Sequence, residues 1–272
     1  MKPLRLLLRG QREVKSIAAY LTKATDRWPL ARQIATRPRL PVPARGATPT
    51  AMRRRLRAGG RVAVSVAIRS GTGLGRQRWP QEVSSYAIDD GERLLLFDPL
   101  AVPVALLALA REREPVIVLT APWHERDAHA LVERLQAAVF APPPDAAQDL
   151  INKYAITAEQ TGDGSPGLEW IRSGGNAHWY AAGDRLPFGI KAYAGREHND
   201  LVLWIESIRA VIAGDSLADF GTGLALNDWL RGGVTREQVV NRLRPLLELP
   251  VEFALPTHGT PTDRAALKRA LS

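Results

Sequence analysis

From Arg61 onward, short apolar runs rich in β-branched and aromatic residues alternate with stretches in which apolar residues recur at helical spacing. RVAVSVAI (61–68) alternates polar and apolar positions as a half-buried strand does, and SGTGLGRQRWP (70–80) is a glycine-rich loop. SSYAIDDGERLLLFDP (84–99) predicts a hairpin, two strands joined at Asp89, Asp90 and Gly91. A helix over 104–114 leads through Pro115 to a strand at 116–120, then come a helix at 128–138 and a short strand at 139–141. Residues 143–176 carry little periodicity and suggest short strands and turns. A strand pair follows at 189–195 and 200–207, then a strand at 209–215 ending in Gly-Asp. A helix at 235–247, a strand at 251–259 running into a His-Gly turn, and a helix at 263–271 complete the pattern. Antiparallel strands first, then strands interleaved with helices, predict an α/β layered fold with helices outside mixed sheets.

The first 60 residues read differently. Gln11 to Thr36 could form one or two helices through Val14, Ile17, Ala18 and Leu21, while residues 37–60 mix Pro, Gly and Arg without periodicity, as disordered segments do. The formal charge of +9 belongs here: residues 1–60 hold 15 Lys/Arg against Glu13 and Asp26, a net of +13, and residues 61–272 hold 22 against 26 acids, a net of −4. Arg53, Arg54, Arg55 and Arg57 form a basic arm that could touch phosphate or anionic lipid. A solvated tail, or a start codon upstream of the true one near Met52, is favoured, because no aromatic residue interleaves these arginines to stack on bases. The domain expectation is an extension over 1–60 and one body over 61–272. Nucleic acid is not expected as a partner of that acidic body. The absence of cysteine excludes disulfides, thiolate metal sites and cysteine nucleophiles. No uninterrupted apolar stretch is long enough to span a membrane, since 94–110 is broken by Asp98, Pro99 and Pro103, and a cytoplasmic location is the simplest expectation.

Candidate chemistry gathers just past the carboxyl ends of apolar strands: His124, Glu125, Asp127 and His129 after VIVLT, Asp215 after AVIAG, and His258 after EFALPT. Strand ends of this kind converge on one rim where ligands bind. Their order and spacing, with the hairpin before them, resembles the metallo-β-lactamase superfamily over residues 61–272. That resemblance implies a four-layer αβ/βα sandwich, one or two metal ions such as Zn²⁺, and hydrolysis of a small-molecule substrate that the fold does not specify.

Set against the family's Thr-His-x-His-x-Asp-His motif, Trp123, Glu125 and Ala128 stand where histidines belong, and Asp127 alone keeps its position. Arg196 stands at the third-histidine turn, within Gly195 to Asp200, whereas Gly214-Asp215 and Thr257-His258-Gly259 match well. Trp and Ala offer a cation no donor, and a guanidinium stays protonated. The carboxylates of Glu125, Asp127 and Asp215 would repel one another on a confined rim without a cation. Arg196, with Arg126 as a second candidate, is therefore expected to pair with Asp127 or Asp215 and to fill part of the metal volume.

The resemblance implies His258, Asp215 and Asp127 as catalytic or residual ligand positions, His258 acting as base and Asp215 orienting it. Trp123, Glu125, Arg196 and His198 are candidates for a substrate pocket. A shifted register would instead offer a single metal the set His124, Asp215, His198 and His258. Plainer roles are open as well: Asp127 can cap the following helix and leave His129 on its exposed first turn. His178 reads as a hydrogen-bonded surface residue, and Trp170, Trp179 and Trp204 read as packing residues or as the lining of an apolar cleft. Asp98 ends a strand near the rim and can orient the histidine loop. Three functions follow: a hydrolase-like protein with a degraded metal site, a non-catalytic small-molecule or partner-binding protein on the same fold, or a nucleic-acid binder using the basic arm.

Overall fold

The structure is a computed structural model that describes residues 63–69, 82–161, 168 and 177–272. The basic arm, the glycine-rich loop, Trp170 and most of 162–176 lie outside the described residues. Two six-stranded sheets form the centre. The first runs β1 (Ala63–Arg69), β2 (Glu82–Asp89), β3 (Arg93–Phe97), β4 (Glu114–Val118), β5 (Ala138–Ala141) and β6 (Ala177–Trp179) in spatial order. It is antiparallel through β3 and parallel from β3 to β6. The second contains β7 (Arg185–Leu186), β8 (Ile190–Ala194), β9 (Leu201–Ile205), β10 (Ala210–Ile212), β13 (Phe253–Leu255) and β14 (Thr262–Asp263), ordered β14-β13-β10-β9-β8-β7. A separate ribbon pairs β11 (Leu217–Ala218) with β12 (Ala225–Leu226).

Side-chain alternation makes the layers. Tyr86, Ile88, Leu95, Phe97, Val116 and Val118 point from the first sheet into a shared core with Leu201, Leu203, Ile205, Ala210 and Ile212 of the second. The intervening residues face outward and are covered by helices. Leu94, Leu96 and Ile117 pack under α1 (Val104–Leu109) and α2 (Ala128–Leu135), while Val202, Trp204 and Val211 pack under α5 (Arg236–Leu243) and α6 (Arg264–Ala270). Burial on both faces explains why β3, β4 and β9 read as continuous apolar runs. The resulting order is helix, sheet, sheet, helix, the four-layer αβ/βα sandwich expected from the sequence.

Several boundaries differ from expectation. α1 stops at Leu109, because Glu114 already pairs with Arg93 at the start of β4. α2 stops at Leu135, where Gln136 takes a left-handed conformation. The helix expected over 235–247 divides into α5 and a 3₁₀ turn at Pro245, and the strand expected over 251–259 is confined to Phe253–Leu255. Residues read as strands and turns begin with two helices, α3 (Ala147–Tyr154) and α4 (Ala158–Thr161). Trp204 is a core residue as expected, but Trp179 lies exposed on β6. The described contact of exposed His178 is a stack on Phe140 at 4.7 Å rather than a hydrogen bond.

Candidate functional site

The ends of β3, β4, β10 and β13 meet on one rim. Asp98, directly after β3, is fully buried; its Oδ1 accepts the Thr120 N–H at 2.8 Å and its Oδ2 accepts the Thr120 hydroxyl at 2.6 Å. The Pro122–His124 segment is a 3₁₀ turn, in which successive side chains project about 120° apart. It turns His124 inward and leaves the Trp123 ring 41% exposed.

His124 lies between two carboxylates, its Nδ1 3.2 Å from Asp98 Oδ2 and its Nε2 3.1 Å from Asp215 Oδ1. Nδ1 is also 2.9 Å from the Thr120 hydroxyl oxygen, whose hydrogen is committed to Asp98. Both ring nitrogens therefore face acceptors and both donate, so the ring is an imidazolium. Burial opposes that charge, but Asp215 and then Asp98 outweigh it and raise His124 from 6.5 to about 9. Asp98 is lowered: burial pushes it up, and His124 and Arg126 overcome that push.

Asp215 is the hub. Its Oδ2 accepts the Trp123 indole N–H at 2.9 Å and lies 3.4 Å from Arg196 Nη2. Its Oδ1 is approached by His124 Nε2, by His258 Nε2 at 3.3 Å and by the Thr257 hydroxyl at 3.1 Å, which also reaches the Gly214 carbonyl at 2.7 Å. Burial raises Asp215, and the charges and hydrogen bonds of His124 and His258 reverse this, leaving it well below the carboxylate range. Gly214 makes the turn possible. Its φ is +53°, and a Cβ there would stand 2.6 Å from the Leu201 carbonyl oxygen and 2.8 Å from Asp200 Oδ1.

Arg196 extends the network. Its Nε is 3.1 Å from Asp200 Oδ2, its Nη2 is 3.1 Å from Glu197 Oε1, and its Nη1 donates to the Trp229 carbonyl at 2.6 Å. Burial and the neighbouring Asp215 charge raise Asp200 to about 7, against the pull of Arg196 and His124. Gly195 permits the close approach, since a Cβ there would lie 2.1 Å from Ser216 Oγ. Beyond Glu197, Lys153 Nζ is 2.6 Å from Asp145 Oδ2 and 4.8 Å from the centroid of the Trp123 ring. The first sheet latches the His258 turn: Ser84 N–H donates to the Thr257 carbonyl, Ser84 Oγ to the Gly259 carbonyl, and Tyr86 Oη to the Pro256 carbonyl.

The structure thus brings together Trp123, His124, Arg196, Asp215 and His258. It places five other candidates elsewhere. Asp127 Oδ2 accepts the Ala101 N–H at 2.5 Å, so it fixes the turn after β3 instead of facing Asp215. It occupies the N-cap position of α2, but its side chain makes no cap hydrogen bond. Glu125 Oε2 accepts the Leu168 N–H at 3.0 Å. His198 is exposed and lies 3.5 Å from Asp149, so the single-metal set that includes it is not assembled. Arg126 reaches neither Asp127 nor Asp215; it donates to the Asp98 carbonyl at 2.9 Å. His129 is exposed beside Glu133 at 3.5 Å. Sequence reasoning missed Lys153, Phe220 and Trp229, none of which stands in a motif, and gave no role to Thr257 and Glu197 within the turns it did single out.

No family model and no curated protein matches the chain in sequence. Solved structures do match in shape. An archaeal metallo-β-lactamase superfamily protein from Sulfolobus tokodaii superposes with a TM-score of 0.51 at 14% identity, over 76% of this chain and 84% of that one. The chain has the metallo-β-lactamase fold. The DIM-1 metallo-β-lactamase is similar at a TM-score of 0.49 and 14% identity, over 77% of this chain and 90% of that chain. TTHA1623, solved in a di-iron-bound form, is similar at a TM-score of 0.48 and 25% identity, over 74% and 98% of the two chains. Within this metallo-β-lactamase fold, the rim that carries Asp215 is the place where the first and second sheets meet through Ser84, Tyr86 and the 256–259 turn.

Proposed function

We propose that this is a hydrolase-like protein of metallo-β-lactamase fold in which His124 and Arg196 take the place of metal ions. The observation that carries the reading is the donor set around Asp215. Both of its oxygens already accept from protein groups, and two of those groups are buried cations. A zinc ion needs lone pairs at roughly 2.0–2.2 Å from nitrogen or oxygen ligands. The imidazolium of His124 has no lone pair to give, the indole of Trp123 only donates, and the guanidinium of Arg196 repels a cation. The residues present therefore do not fit a metal pair.

What the site retains is His258. Asp215 Oδ1 holds its Nε2–H at 3.3 Å, while its Nδ1 is buried and has no hydrogen-bond partner among the described residues. An imidazole oriented by a carboxylate, with its second nitrogen uncommitted, is suited to take a proton from a water or hydroxyl nucleophile. His258 is the base in this reading and Asp215 its orienting partner; the substrate is a small molecule entering past Trp123. Elemental analysis of wild-type and His258→Ala protein, both prepared without added metal, tests the reading. Only substoichiometric metal is expected in each. Stoichiometric zinc or iron in the wild type, lost in His258→Ala, would overturn it.

A further inference from the structure

Large apolar side chains are exposed at six places among the described residues: Val104, Trp123, Tyr154, Trp179, Phe220 and Trp229. Three of them touch the floor just described. Trp123 donates to Asp215, Phe220 lies 5.9 Å from the His258 ring, and the Trp229 carbonyl accepts from Arg196. Phe220 and Trp229 also face each other at 6.2 Å with an interplanar angle of 29°. Tyr154 adjoins them, because the Gly232 N–H donates to the Lys153 carbonyl and Arg231 lies over the Tyr154 ring at 4.8 Å. Partly exposed rings clustered around one polar floor mark a ligand-binding face, since their exposed apolar surface gains by being covered.

Charge selects what covers them. The acids of the floor are each paired with a cation: Asp98 and Asp215 with His124, and Asp200 and Glu197 with Arg196. Arg231 is the opposite case. It is exposed, and among the described residues it has no carboxylate partner.

We propose that the exposed aromatic face beside Asp215 and His258 binds a small planar aromatic carboxylate, its ring against Trp229 and Phe220 and its carboxylate at Arg231. This names a ligand class for the site read above as metal-free, and it rests on that reading for the polar floor.

The test titrates 2-naphthoate into chelator-treated protein and follows naphthalene fluorescence, beside the neutral 2-naphthylmethanol and the cationic 2-naphthylmethylamine. Saturable binding of the carboxylate is expected, at least ~tenfold tighter than of the alcohol or the amine. Trp229→Ala weakens all binding about tenfold, and Arg231→Gln removes the carboxylate's advantage while leaving the alcohol unchanged. Arg209→Gln, at the other end of β10 and paired with Glu252, changes nothing. Absence of saturable binding, preference for the amine, or equal effects of Arg209→Gln and Arg231→Gln would overturn the proposal. Stoichiometric metal in the untreated protein would instead sink the metal-free reading and leave the Trp229 and Arg231 comparison standing.

Discussion

Two clusters of acids and histidines stand out among the described residues, and they neutralise their charge in different ways. Around Asp215, the side chains of Asp98, His124 and Arg196 are 5% exposed or less, and every carboxylate has a protein cation against it. In the second cluster, Asp145, Asp149 and His198 offer ligand atoms within 4.8 Å of one another, with His198 54% and Asp149 29% exposed. Water can neutralise Asp149 and His198 of that outer shelf, whereas its buried Asp145 and the inner floor need protein counter-charges, because an unpaired buried charge is costly. Lys153 joins the two, bonded to Asp145 of the shelf and 3.7 Å from Glu197 of the floor. Its ammonium also argues against a cation on the shelf. His198 shows what sequence proximity hides: two residues from Arg196, it belongs to the other cluster.

The sharpest way to break the contrast is Asp215→Ala, which removes the carboxylate shared by His124, Arg196 and His258 and leaves the His124 Nε2 donor buried without an acceptor. It is expected to cost about 3–5 kcal/mol in urea unfolding; a cost under about 1 kcal/mol would mean that the floor does not cohere. Arg196→Ala comes next, at about 3 kcal/mol, since it removes the cation shared by Asp200, Glu197 and Asp215.

His124→Gln gives an effect that depends on pH. The folded value of about 9 exceeds the ordinary 6.5, so the folded state holds the extra proton between them. The stabilisation is complete below pH 6.5 and is lost as pH rises toward 9, about 3 kcal/mol at roughly 1.36 kcal/mol per pH unit. Asp200, raised from 3.8 to about 7, gives its own decline below that value, so the decline from pH 7 to 9 belongs to His124. Stability curves against pH should show this decline in the wild type and a flat line in His124→Gln. On the shelf, His198→Ala should change stability by less than about 1 kcal/mol, as exposed ion pairs do; a larger loss would erase the distinction between the clusters.

The layers were legible because burial on both faces writes itself as apolar runs, as in RLLLF of β3 and LVLWI of β9. α3 was not, since among its residues only Lys153 is buried, and a helix packed through a lysine shows no apolar stripe. Within the site, Asp215 and His258 were visible as strand ends; Arg196 was expected beside Asp127 or Asp215 and lies beside Asp215, although the repulsion invoked for it also counted Glu125 and Asp127, which sit elsewhere. The orientation of His124 was hidden. A linear register puts Trp123 and Glu125 at ligand positions, but the 3₁₀ turn at Pro122–His124 sends the neighbour of each inward or outward by its own geometry. Asp127 misled for a related reason: its partner, the Ala101 N–H, lies 26 residues earlier in the chain, beyond any local pattern.

The most direct measurement of the central claim is the ¹⁵N resonance titration of the His124 ring in chelator-treated and untreated protein. The account predicts both nitrogens protonated at neutral pH, a midpoint near 9, and no difference between the two preparations. A neutral ring titrating at or below 6.5, or one whose shift depends on chelator, would contradict it.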